Sequence, residues 1–105
     1  MSDTYKHFID LAAEVQVPPD GILSRTLHND DHVRVVLFAF SQGQELTNHT
    51  APVTAMLYFV RGEGELTLGG DKVEAKPGTF AWMTPKLNHA ILAKSPLIML
   101  LMMLK

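Results

Sequence analysis

Five histidines carry most of the chemistry open to this chain: His7, His28, His32, His49 and His89. Cysteine is absent, which excludes disulfides, thiolate metal sites and a cysteine nucleophile. An imidazole can ligate a metal, move a proton near neutral pH or simply hydrogen-bond, and a lone histidine most often does the last. Context selects two of the five. His49 follows Gly43-Gln-Glu-Leu-Thr-Asn48 and enters an apolar run that closes at Gly62, whereas His89 follows Pro77-Gly78, a second apolar run and Pro85-Lys-Leu-Asn88.

The elements that must position these rings are strands. From Gly21 onward, short stretches of Val, Leu, Ile, Phe and Thr alternate with Gly, Pro, Asn and Asp, the texture of strands joined by tight turns. Nine strands are predicted, at about 22–28, 32–40, 44–48, 53–61, 64–69, 72–76, 79–84, 88–93 and 97–104. In the clearest hairpin, Glu65 and Thr67 alternate with Leu66 and Leu68, and Gly69-Gly70-Asp71 supplies the turn. Asn29-Asp30-Asp31 and Pro77-Gly78 mark further turns. Residues 5–15 place Phe8, Leu11, Ala12 and Val15 at helical spacing, and Pro18-Pro19 would end a short helix there. The chain therefore divides into an N-terminal extension (1–21) and an all-β unit (22–105), a sandwich or small antiparallel barrel.

The double histidine layout resembles the cupin family of small β-barrels. Gly43, five residues, His49 and the closing Gly62 fit the spacing of that family's first motif, and His89 takes the histidine position of its second. Pro85 stands one residue closer than the motif proline, and Leu87 replaces its glycine. The resemblance spans about residues 22–104. It implies a small antiparallel double-stranded β-barrel, jelly-roll-like, with a metal or ligand in its interior.

In the family, four side chains of the two motifs coordinate a divalent metal (Zn, Fe, Mn or Ni). Here the second histidine of motif one is Ala51, and the glutamate position falls on Ala55 or Met56. Only His49 and His89 remain, fewer than the three protein ligands of a catalytic zinc or a 2-His-1-carboxylate iron site. A third donor would have to come from His28, His32, Gln44, Glu45, Asn48 or Asn88, and spacing does not choose among them. Three readings stay open: a metal on the pair, a hydrogen-bonded structural pair, or metal-free acid/base groups.

Met56, Tyr58, Trp82 and Met83 lie on strands that line or flank the barrel, and period-two alternation should turn some of them into a pocket whose polar end carries His49 and His89. Leu97 to Leu104 lacks polar residues, so both its faces should be covered, the outer by a homodimer partner or by the chain's own second sheet.

At 105 residues the chain has room for one domain, and 47 % hydrophobic against 19 % charged residues is a globular composition. Nine basic residues lie scattered among eleven acidic ones. This excludes the clustered cations that nucleic acid or an anionic membrane surface requires. With neither a signal-peptide pattern nor a long apolar run, a cytoplasmic protein is expected. Three readings of function follow: a barrel binding a small apolar or carbonyl-bearing molecule, a metal-dependent enzyme of dioxygenase, isomerase or decarboxylase type, or an assembly role with no ligand, in a barrel plugged by its own side chains.

Overall fold

Alternation along the strands builds two antiparallel sheets that face each other across an apolar interior. The computed structural model describes residues 4–105, the side chain of Asn48 excepted. In chain order the strands are β1 (Ile22–Asn29), β2 (Val33–Phe40), β3 (Glu45–His49), β4 (Ala55–Arg61), β5 (Gly64–Leu68), β6 (Asp71–Ala75), β7 (Phe80–Met83), β8 (His89–Ala93) and β9 (Leu97–Leu104). Each matches a predicted strand to within two residues at either end. One sheet has the order β1-β2-β9-β4-β7 and the other β3-β8-β5-β6. The two do not close into a continuous hydrogen-bonded ring, so the barrel is a flattened jelly roll.

The inner face of the five-stranded sheet reads off the register. Phe40, Leu97 and Phe38, Met99 pair across β2 and β9, and Leu57, Leu101 and Phe59, Met99 across β4 and β9. These pack on Leu66 and Ile91 of the opposite sheet. Phe40, Phe59, Leu66 and Leu97 are fully buried, each stabilising the fold by about 1.5–3 kcal/mol through the apolar area removed from water. The packing tapers along β9, from Leu97 and Met99 at the filled end to the half-buried Leu101 and Met103 at the other.

Two turns hold this geometry. Between β4 and β5, Gly62 has φ 84°, and a Cβ there would collide with the Pro96 carbonyl oxygen, so only glycine fits. Between β1 and β2, Asp30 Oδ1 accepts from the backbone N–H groups of His32 (2.7 Å) and Val33 (2.9 Å), while Oδ2 accepts from His28 Nε2 (2.6 Å). The His28 bond, then the two backbone donors, hold the Asp30 carboxyl well below the usual carboxylate range.

The helix expected over residues 5–15 contracts to a single 3₁₀ turn, Leu11–Glu14, capped by the Asp10 side chain and flanked by extended backbone. One turn fixes many dihedrals for one hydrogen bond, and an extended strap covers more of the sheet. Phe8, Leu11, Ala12, Val15 and Val17 lie on Leu27, Leu37, Ala39 and Ile98, on the outer face of the five-stranded sheet. Arg25 donating to Glu14 (2.9 Å) and Gly21 N–H donating to Ser41 Oγ (2.8 Å) fasten the strap. Part of the outer face of β9 is thus covered by the chain's own N-terminal segment, a third option besides a partner and the second sheet. Among the described residues no helix is long and apolar enough to cross a membrane.

Candidate functional site

The site begins with a fault in one strand. β3 pairs with β8 as Glu45 with Leu92 and Leu46 with Ile91, then shifts by one residue so that His49 stands opposite His89. The extra residue reverses the alternation, so His49 joins the inner face that Leu46 already occupies. The two rings meet edge to face, their centroids 5.7 Å apart and their planes at 83°. His89 is 5 % exposed and its Nδ1 donates to the Leu87 carbonyl oxygen at 3.1 Å. A carbonyl only accepts, so in the neutral ring the lone pair sits on Nε2. His49 is exposed.

Above this pair the tapering interior leaves a cavity of about 250 Å³ between the sheets. His49, Ala51 and Pro52 form one wall, and Val36, Phe38, Leu101 and Met103 the other. His89 lies behind His49 and does not reach the cavity surface. The sequence reading missed three polar lining residues, Ser24, Arg34 and Thr50, of which the first two lie on the wall of β1 and β2. The signal for those two was period-two spacing: Arg34 shares the face of Val36 and Phe38, and Ser24 pairs with Phe38. Wider depressions of about 370 and 700 Å³ lie beside the N-terminal strap, one at Tyr5 and Lys6, the other at Val15 and Arg61, outside the space between the sheets.

The loops carrying the two histidines are joined by backbone. Lys86 N–H donates to the Ala51 carbonyl at 2.7 Å, and Leu87 N–H to Thr84 at 3.3 Å closes the Thr84-Pro85-Lys86-Leu87 turn. Lys86 takes the left-handed conformation, φ 69°, where such a turn prefers glycine. A non-glycine residue held there costs on the order of 1 kcal/mol and persists because neighbours determine it.

A metal on this pair can be tested against the donors present. Of the two positions on which the motif's glutamate falls, Met56 is on the outer face and Ala55 is 1 % exposed and faces inward, level with Met83 and Met103. Ala51 lines the cavity. Two ligand positions of the family therefore hold methyl groups at the mouth. The other donors are engaged or turned away: His28 binds Asp30, Gln44 donates to Asp20 at 2.9 Å, and Glu45 lies next to the inward Leu46, on the opposite face. His32 and Asn88 are exposed outside the lining, and the Asn48 side chain lies outside the described residues. Among the described residues no three His, Cys, Asp or Glu side chains that could hold a metal come together. Two imidazoles do not fit a catalytic metal's requirement.

The placement of Met56, Tyr58 and Trp82 corrects their expected role in the pocket. Ala55, Leu57 and Phe59 of β4 and Ala81 and Met83 of β7 belong to the interior cluster, so the residues between them point outward. Met56 pairs with Trp82 and Tyr58 with Phe80 on that outer face. Met83 does point inward, but as a buried member of the core that is not part of the cavity lining.

A family model described as "Cupin domain" matches residues 36–103. A conserved protein of unknown function from Streptococcus pyogenes is 30 % identical, with a TM-score of 0.87 over 100 % of this chain and 96 % of that one. A cupin superfamily protein from Desulfitobacterium hafniense is 23 % identical, with a TM-score of 0.87 over 95 % and 92 % of the two chains. DMSP lyase DddQ from Ruegeria pomeroyi, 16 % identical, shares the fold at a TM-score of 0.75 over 81 % of this chain and 47 % of that one. No curated protein sequence matches. The matched segment runs from the cavity wall on β2 to the end of β9 and contains both histidines, and on that ground this chain belongs to the cupin family.

Proposed function

We propose that this cupin binds a small organic molecule at the open end of its barrel, with His49 as the polar contact at the mouth and His89 setting the orientation of that ring from behind. The observation that carries the reading is the β3 bulge, which brings an exposed imidazole to the edge of an otherwise mainly apolar cavity between the sheets. Bulges of this kind re-aim a side chain next to a binding site. A cavity of about 250 Å³ lies below the ~300–1,000 Å³ typical of drug-sized ligands, so the molecule has roughly ten non-hydrogen atoms or fewer. Binding needs no third metal donor; a metal-dependent dioxygenase, isomerase or decarboxylase does.

The methionines provide the test. Met103 lines the cavity, Met99 lies in the core and Met56 is on the outer face. With methyl-labelled methionine, hexan-1-ol should shift the Met103 signal saturably, leave Met99 in place, and lose its effect in Ala51→Phe, which fills the mouth. Shifts confined to Met56, or none at Met103, would overturn the reading.

The same proposal gives the outer face to a second copy of this chain. Trp82 (59 % exposed), Phe80 (56 %), Leu104 (45 %) and Tyr58 (38 %) form an apolar patch beyond the reach of the N-terminal strap. Their cross-strand neighbours on that face, Met56, Met102 and Leu100, carry no charge. Such a surface suits an identical one across a two-fold axis. At roughly 400 Å² it covers about half of the ~800 Å² per partner of a stable interface, and patches of that size are often functional. Sedimentation should give a dimer that Phe80→Ser with Trp82→Ser converts to a folded monomer; a wild-type monomer at all concentrations would remove this assignment.

A further inference from the structure

We infer that the ligand is a small monocarboxylic acid, its carboxylate held by the Arg34 guanidinium and its apolar body lying along Phe38, Leu101 and Met103. This deepens the reading of the cavity as a binding site and rests on it. β2 alternation sends Arg34 to the inner face with Val36 and Phe38, not to the outer face with Val33 and Val35. Arg34 is itself exposed, so water solvates it at the cavity's rim, and an anion whose apolar body enters the cavity meets this guanidinium as the one cationic side chain of Lys or Arg in the lining. The described residues do not provide an anionic partner: the three ion pairs join Arg25 to Glu14, His28 to Asp30 and Lys72 to Glu65, and no carboxylate side chain lines the cavity.

Arg25 makes the contrast. It lies on the neighbouring strand, paired in register with Leu37 on the outer face, and finds Glu14 of the strap at 2.9 Å. Of these two arginines, Arg34 is the one with no carboxylate beside it among the described residues, which leaves its guanidinium open to an anion from solution. A planar guanidinium matches a carboxylate through two parallel N–H···O bonds, a geometry that an ammonium or a hydroxyl cannot reproduce. Ser24 Oγ and His49 line the same cavity and can each donate a further hydrogen bond. One guanidinium balances one negative charge, which favours a monocarboxylate over a phosphate ester carrying two.

Hexanoate and hexan-1-ol, alike in their apolar chains, separate the two levels of the argument. Titrated at low ionic strength into the intact methyl-labelled chain, both should shift Met103, and hexanoate should half-saturate at about tenfold lower concentration, the scale of a charge-assisted hydrogen bond. Arg34→Gln should bring hexanoate and hexan-1-ol to the same half-saturating concentration, and Arg34→Lys should restore part of the preference as a point charge without the fork. An unshifted Met99 signal reports that each variant keeps its core. Equal response to acid and alcohol, or a preference that survives Arg34→Gln, would overturn the carboxylate assignment alone. A Met103 signal that neither compound moves would overturn the cavity reading with it.

Discussion

The two faces of the five-stranded sheet are made of the same kinds of residue and end in opposite situations. On the inner face, β4 presents Ala55, Leu57 and Phe59, all buried against the second sheet. On the outer face it presents Met56, Tyr58 and Val60, and only Val60 packs against the cluster beneath the N-terminal strap. Apolar character alone does not distinguish the two. What distinguishes them is where the polar tips sit. Arg34, Ser24 and His49 converge at the mouth of the inner face, while the exposed part of the outer face pairs aromatic with methionine. An apolar surface that carries a few convergent polar groups selects a small ligand; one without them selects another apolar surface.

The largest effect should separate these faces at adjacent positions. Phe59→Ala removes a fully buried ring from the interior and should cost about 3–5 kcal/mol in chemical denaturation at any protein concentration. Tyr58→Ala, one residue away and 38 % exposed, should cost under about 1 kcal/mol in dilute protein, with a further loss that grows as protein concentration rises. Equal costs at the two sites would mean that the alternation of β4 is not as described.

An intermediate effect sharpens the chemistry of the inner face. If the methyl groups of Ala51 and Ala55 are what leave this pair short of metal donors, then Ala51→His with Ala55→Glu should create a site. Without metal the double variant should be less stable than its parent by about 1–3 kcal/mol, because the glutamate enlarges a packed position that is 1 % exposed. Added zinc should return about 2.7 kcal/mol at a hundredfold excess over its dissociation constant. Thermal unfolding with and without zinc measures this. A parent stabilised as much as the double variant would mean that two imidazoles suffice and the donor count was misjudged.

Much of the scaffold was legible in the sequence because its signals are local. Asn29-Asp30-Asp31, Gly62 and Pro77-Gly78 punctuate the strands, and each turn residue acts through its own dihedrals or side chain. The facing of β4 and β7 was not legible. Ala55 to Val60 is apolar at every position, so alternation offers two equivalent phases, and only contact with Leu66 and Ile91 across the barrel decides between them. The meeting of His49 with His89 followed from the motif spacing, whereas the bulge that turns His49 inward is a register event between two strands and leaves no mark on either one alone. Arg34 was overlooked for a related reason, since a single exposed cation on an edge-adjacent strand is not tied to a cavity until its neighbours Val36 and Phe38 are seen to face the interior.

The smallest effect concerns the turn that leads into Arg34. Asp30 joins β1 to β2 four residues before the guanidinium, and its carboxylate gathers His28 and two backbone N–H groups. Because these donors hold its pKa below the ordinary carboxylate value, the folded chain favours the ionised form more than the unfolded chain does. The stability contributed is therefore present above the unfolded value, about pH 3.9, and fades as pH falls through and below it. Asp30→Asn, which keeps the shape and removes the charge, should lower the thermal midpoint slightly at pH 7, and the gap to the parent should narrow progressively as the pH is lowered below about 3.9. Exposure of the turn to water keeps the effect small. A gap that persists unchanged into acid would mean that Asp30 acts through packing, and that the position of Arg34 does not depend on a charged turn. The same substitution should leave the outer face untouched, so dissociation of the proposed dimer, measured alongside, serves as the control on which side of the sheet has been disturbed.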